Sequence, residues 1–235
     1  MTNSAFLDCI AQSFKTFLET GSRSNQKLKI LHGSIAVDLA EKLGEDYTIK
    51  SLGFESGKEG KIQGRYIDKN VDITVIKDKI PVAGVGIKFV MQNYSQNSNN
   101  YFENMLGETA NIRSNNIPYF QVFIIPDVIP YYKEGGKFQN WETFTAHNAH
   151  KYGVLSNDFV ETSIHTPTKT LIYVVKLPDI NIDISDKKSY QSYYLSLSDI
   201  NVTTTSKDYG TFASNVIFND YEEFIQKVVH RIFSI

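Results

Sequence analysis

Two charged residues stand out because of the company they keep. Asp72 lies in the β-branched block KNVDITV, and Lys88 sits among Val85, Ile87, Phe89 and Val90 in VGIKFV. A turn at Lys77 to Lys79 folds these two segments into a hairpin, which places the acid and the lysine on adjacent strands. A lysine in so apolar a strand is usually paired or functional, because a lone ammonium is costly to desolvate. Farther along, Glu103 and Glu108 fall in a segment where Phe102, Met105, Leu106 and Ala110 recur at helical spacing. Carboxylates are oxygen ligands for hard divalent cations, and an ammonium beside them neutralises developing negative charge. Other chemistries find less support. The chain has no G-x-S-x-G elbow and no Gly-rich phosphate loop, and His147 and His150, three residues apart, lack a third ligand.

The frame around this hairpin is legible from periodicity. The 235 residues suit one large domain, and 41% hydrophobic with 13% aromatic residues is enough to bury a substantial core. Lys and Arg total 24 against 26 for Asp and Glu, a formal net charge of −2, which excludes a polybasic partner surface over the whole molecule. The single cysteine, Cys9, can form neither an internal disulfide nor a thiolate metal cage, so a reducing compartment, the cytoplasm, is expected. No basic stretch precedes an apolar run at the amino terminus, and no segment approaches the ~20 apolar residues of a membrane span. Helical spacing predicts a first helix over 5–19, ending at Gly21, and a second from Ile30 to Leu43, ending at Gly44, with the polar loop SRSNQ between them. Strands are predicted around Ile49, Ile62 and Tyr66, from Val71 to Ile76 and from Val82 to Val90. An Asn- and Ser-rich loop then leads to the helix with the two glutamates. IPYFQVFII, 117–125, is a continuous apolar run of strand length and reads as a buried central strand. Beyond Pro130 come a loop, a weak helix around Trp141 to Tyr152, a strand from Thr170 to Leu177 and a last helix from Tyr221 to Phe233.

Acid-bearing strand, turn, lysine-bearing strand, polar loop, helix with glutamates, buried strand: this order resembles the core of the PD-(D/E)XK nucleases, and in particular type II restriction endonucleases. The resemblance covers roughly residues 60–126. It implies an α/β, restriction-endonuclease-like fold with a mixed sheet flanked by helices, one domain over 1–235 with a catalytic core at about 47–126. Asp72 would then be the first metal-binding acid and Lys88 the catalytic lysine, acting with Mg²⁺ on double-stranded DNA. A homodimer is implied too, since a palindromic site mirrors two-fold protein symmetry, and with it a bacterial cytoplasmic location. The same fold also serves catalytically inactive binding modules and non-specific repair-type nucleases.

One position departs from the family pattern. Side chains alternate along a strand, so the residue two before the lysine shares its face, and there the family places a second acid. Here it is Gly86, without a ligand atom. A helix carboxylate is the expected substitute, with Gly86 leaving room for it. On a helical projection Glu103 lies at the margin of the apolar stripe and Glu108 points away, so Glu103 is the expected metal ligand, although Asn100 as N-cap would also make it part of a capping box. Glu41, Glu55 and Glu108 remain as alternate ligands or outer partners. For DNA contact the sequence offers Arg65 and Lys69 before the site, Asn111 and Arg113 after it, and Gln92, Asn93, Gln96, Asn97, Asn99 and Asn100 in the polar loop, amides being side chains that read base edges.

Overall fold

The computed structural model describes residues 1–21 and 23–235. Ser22, in the polar loop expected between the first two helices, lies outside the described residues. Helix α1 spans Asn3–Thr20 and α2 spans Gln26–Leu43. Gly21 and Gly44 end them at positive φ, each N–H returning to a carbonyl of the last turn, as the sequence signals required.

Strand β1, Tyr47–Ser51, is followed by a small two-stranded hairpin, β2 Gly60–Gln63 and β3 Asp68–Val71. Then come β4, Ile73–Lys77, and β5, Ile80–Phe89, joined by Asp78 and Lys79, both at positive φ, in the kind of tight turn a two-residue hairpin needs. The expected hairpin is therefore present. Helix α3 runs from Tyr94 to Arg113 and β6 from Tyr119 to Pro126, every residue of β6 being buried.

Two expectations are corrected here. The Asn- and Ser-rich stretch forms the first turns of α3 rather than a loop, because buried Tyr94 and Ser98 extend the inward stripe back from Met105. Asn100 therefore lies within the helix, in its second turn, and caps nothing. The segment after Pro126 is a second hairpin, β7 Val128–Tyr132 and β8 Phe138–Thr143, so Trp141 belongs to a strand and helix α4 spans only Ala146–Ser156, opened by a Thr145–Asn148 capping box.

Strand β9, Lys169–Lys176, helix α5, Lys187–Ser196, the short β10, Thr203–Thr204, and β11, Val216–Phe218, lead to α6, Tyr221–Phe233. The principal sheet is mixed, in the order β1-β4-β5-β6-β9-β10, with β11 also on β9. Strands β1, β4 and β5 are antiparallel, whereas β5, β6 and β9 are parallel, so one helix layer covers each face. Helices α1, α2, α5 and α6 pack on the face carrying Val85, Ile87, Phe120 and Val122. Helices α3 and α4 cover the face carrying Phe123, Ile125, Ile172 and Val174. Among the described residues, no helix is long and apolar enough to cross a membrane.

Candidate metal site

Lys88 lies one residue from the end of β5, and the alternation that buries Val85 and Ile87 under α1 and α2 turns Gly84, Gly86 and Lys88 to the opposite face. Asp72 links β3 to β4. Its carboxylate accepts the Ile87 N–H at 2.6 Å, and its carbonyl accepts the Ser51 hydroxyl of β1 at 2.8 Å, so three strands hold one acid in place. Burial pushes the Asp72 carboxyl above its ordinary range. The Ile87 N–H, Lys88 and Lys69 pull it down again, and Glu108 adds to the rise.

Two further ligand-bearing residues meet Asp72. The β2–β3 register pairs Gly60 with Val71, so Glu59 and Asp72 stand opposite each other at the open end of that hairpin. Gly60 lets the hairpin approach β4 closely, since a Cβ there would come within 2.4 Å of Thr74. Helix α2 supplies His32, and its approach depends on Gly53 in the loop after β1, where a Cβ would lie 1.9 Å from the Lys29 carbonyl oxygen. Ligand atoms of His32, Glu59 and Asp72 all lie within 4.8 Å of one another. Glu59 is raised by burial and by Asp72, and His32 is pushed down to about 4 by burial and Lys88, so its imidazole is neutral. His32 is 0% exposed, yet among the described residues neither ring nitrogen has a hydrogen-bond partner. An unpartnered buried imidazole beside two destabilised carboxylates is a donor set short of one positive charge, which suits a divalent cation.

The helix carboxylate at this site is Glu108. Its oxygens pair with Lys69 at 2.9 Å and accept the Tyr119 hydroxyl at 3.2 Å. Tyr119 opens β6 on the face of Gly86, and a Cβ on Gly86 would come within 2.3 Å of the Tyr119 hydroxyl and 2.9 Å of Gln121 Oε1. Gly86 thus makes room for the Tyr119 phenol, not for a long glutamate as expected. Gln121, fully buried beside it, leaves Oε1 without a partner. The expectation for Glu103 is overturned: it is exposed, and its charge is felt by Lys151 of α4. The error was one of helix phase. The buried stripe of α3 runs through Met105, Thr109 and Ile112, and Glu108, three residues after Met105 and four before Ile112, lies on that side. Thr109 was the missed signal, because a threonine reads as polar until it is found buried.

Glu41 and Glu55 are both exposed and join neither the His32 group nor Glu108, and His147 and His150 are exposed on α4. Of the ten expected DNA contacts, six are engaged by other groups of the protein. Asn111 accepts the Tyr66 and Ile67 N–H groups and donates to the Ile67 carbonyl, locking the β2–β3 turn. The Arg113 guanidinium is spent on the carbonyls of Val160, Ser163 and Thr166 at 2.6–2.8 Å. Lys69 is held by Glu108, and Asn93 ties down the Tyr132 backbone from both ends of its amide. Asn97 donates to the Asn93 carbonyl and Asn99 accepts from Lys151. Gln96 and Asn100 are exposed on the opening turns of α3, Gln92 is half-buried just ahead of them, and Arg65 is exposed at the hairpin tip, stacked on Tyr66. Comparison of the chain with family models, with curated proteins and with solved structures finds no match.

Proposed function

We propose that this chain is a divalent-cation-dependent endonuclease of double-stranded DNA, of the type II restriction kind. The observation that carries the reading is the meeting of Asp72, Glu59 and the unpartnered His32 at the strand end where Lys88 emerges. Asp72 at the head of β4, Lys88 in β5, helix α3 with its glutamates and the buried strand β6 follow one another in the order on which the resemblance rests.

Asp72, Glu59 and His32 are the residues that would hold the cation. Once bound, a cation supplies charge neutralisation at the scissile phosphate and lowers the pKa of a coordinated water. Lys88, whose charge reaches both Asp72 and His32, orients the attacking water and offsets the negative charge that builds on the phosphate. Glu108, outside the ligand set, fixes Lys69 and the Tyr119 hydroxyl around the same centre. The sequence suggests Mg²⁺. Because His32 would add a nitrogen donor, Mn²⁺ is expected to support cleavage at least as well. Two copies on a palindromic site give each strand its own active site.

The deciding experiment incubates purified protein with supercoiled plasmid and Mg²⁺ or Mn²⁺. Discrete metal-dependent fragments are expected, and they should vanish with Asp72→Ala. A smear would move the reading to a non-specific nuclease. Duplex binding without a cut under either metal would move it to an inactive binding module on this fold. Sedimentation on a palindromic duplex checks the dimer.

A further inference from the structure

The site end of the sheet carries a second feature, built from residues 92–191. Lys88 stands at the carboxyl end of β5, and β6, parallel to β5, ends at Pro126 and leads directly into the β7–β8 hairpin. That hairpin therefore rises from the same end as the site. Between its turn and the start of α5 lies a cleft of about 680 Å³ lined by Gln92, Lys133, Gly135, Gly136, Lys187 and Lys188, among others. Gln92 is four residues beyond Lys88 along the chain, which ties the cleft to the site.

The walls are fixed to each other. The Phe138 N–H donates to the Ser185 carbonyl, and Lys137 bridges Asp186 in an isolated antiparallel pair. The turn is closed by Gly136 donating to Lys133 and Lys133 donating to Lys137. Gly135 and Gly136, both at φ 81°, present bare backbone at the rim. Three lysines against one carboxylate make the cleft mostly basic. Asp186 is the one carboxylate among its described lining residues; it accepts the Ser189 N–H of the α5 cap and also feels the Lys188 charge. Glu134 lines a neighbouring groove instead. Among the described residues no carboxylate lies within ion-pair distance of Lys133, Lys187 or Lys188. On a chain of net charge −2, three lysines lining one concave surface, Lys187 with its ammonium over the Phe17 ring, mark a site for a polyanion.

We infer that this cleft holds the sugar–phosphate backbone of the DNA strand beside the cleaved bond, with Lys133, Lys187 and Lys188 neutralising about one phosphate each. The inference rests on the nuclease reading and extends it to the chain after β6. A rigid, glycine-rimmed cleft with ammoniums on both walls tracks a backbone without reading its sequence.

The test measures binding of the full chain to a fluorescent linear duplex in Ca²⁺ across a range of salt concentrations. Each phosphate contact contributes about 0.9 to the slope of log K against log salt. The triple variant Lys133→Ala/Lys187→Ala/Lys188→Ala is expected to lower that slope by about 0.9 for each lysine removed, and the corresponding triple arginine variant to restore it. The exposed single variants Lys133→Ala and Lys188→Ala carry the same test should the triple variant not fold. A folded variant that binds the duplex with the wild-type slope overturns the inference while leaving metal-dependent cleavage by the wild type, and hence the nuclease reading, intact. Wild type that cuts no DNA with any metal overturns that reading instead, and a wild type that binds no duplex overturns the cleft.

Discussion

Two aspartates in this molecule, one buried and one half-buried, do opposite things. Asp38, on α2, is 2% exposed, accepts the Tyr221 hydroxyl at 2.9 Å and pairs with Lys42 at 3.4 Å, joining α2 to α6. Among the described residues, Asp72 has a single backbone N–H donor within hydrogen-bond distance, a carboxyl raised by burial, and beside it an imidazole with no hydrogen-bond partner. A carboxylate whose partners are all supplied by the protein is a structural element. One whose neighbours share its deficit of positive charge is a place for something the chain does not itself contain.

The sharpest way to break this contrast is to exchange the consequences. Asp72→Asn and Lys88→Met should each lower cleavage at least ~100-fold, the size of effect seen when one group is removed from the charge-stabilising set, while the melting temperature stays the same or rises. Asp38→Asn should do the reverse. Breaking a buried pair costs about 3–5 kcal/mol, and at about 2–4 °C per kcal/mol for a chain of this size the melting temperature should fall clearly, with cleavage retained below it. An Asp72→Asn variant that melts much lower but still cuts would make Asp72 the structural acid and erase the distinction.

A smaller effect separates the two glutamates of α3. Glu108→Gln leaves Lys69 and Tyr119 facing an amide, and a loss of ~10–100-fold in cleavage is expected, as for residues that orient a metal site from outside it. Glu103→Gln, on the exposed side, should leave rate and stability unchanged. Equal rates for the two variants would remove Glu108 from the site.

The smallest expected change concerns the packing around Gly86. Gly86→Ala puts a methyl group against the Tyr119 hydroxyl and Gln121, and overpacking of this kind costs about 1–3 kcal/mol. Tyr119→Phe removes only the hydrogen bond to Glu108, worth about 1 kcal/mol, and should slow cleavage by less than Glu108→Gln does. If Gly86→Ala is neutral in both a thermal melt and a cleavage assay, the crowding of β5 against β6 is not what shapes this face.

Local patterns decided a good deal on their own. Helix α6 occupies the span its apolar spacing predicted, β6 is buried along its whole length as its unbroken apolar run required, and the Asp72–Lys88 hairpin forms where β-branched residues flank a short turn. Each of these signals repeats with the period of the element itself, so neighbouring residues suffice to read it. The start of α3, the inward turn of Glu108 and the second hairpin after β6 were not legible, because Asn, Ser and Thr have weak periodic signatures and only burial against β6 and α4 reveals their side of the helix. His32 and Glu59 were invisible as ligands for a different reason. They stand 40 and 13 residues from Asp72 in a sequence with no spacing rule to join them. What unites them is the close packing of glycines: Gly53 lets α2 touch the loop after β1, and Gly60 lets a hairpin lie against β4. Sequence set which residues carry charge and which strands form, whereas backbone approach over long loops decided which charges meet. That approach depends on the absence of side chains at a few positions, a fact that only the folded packing makes visible.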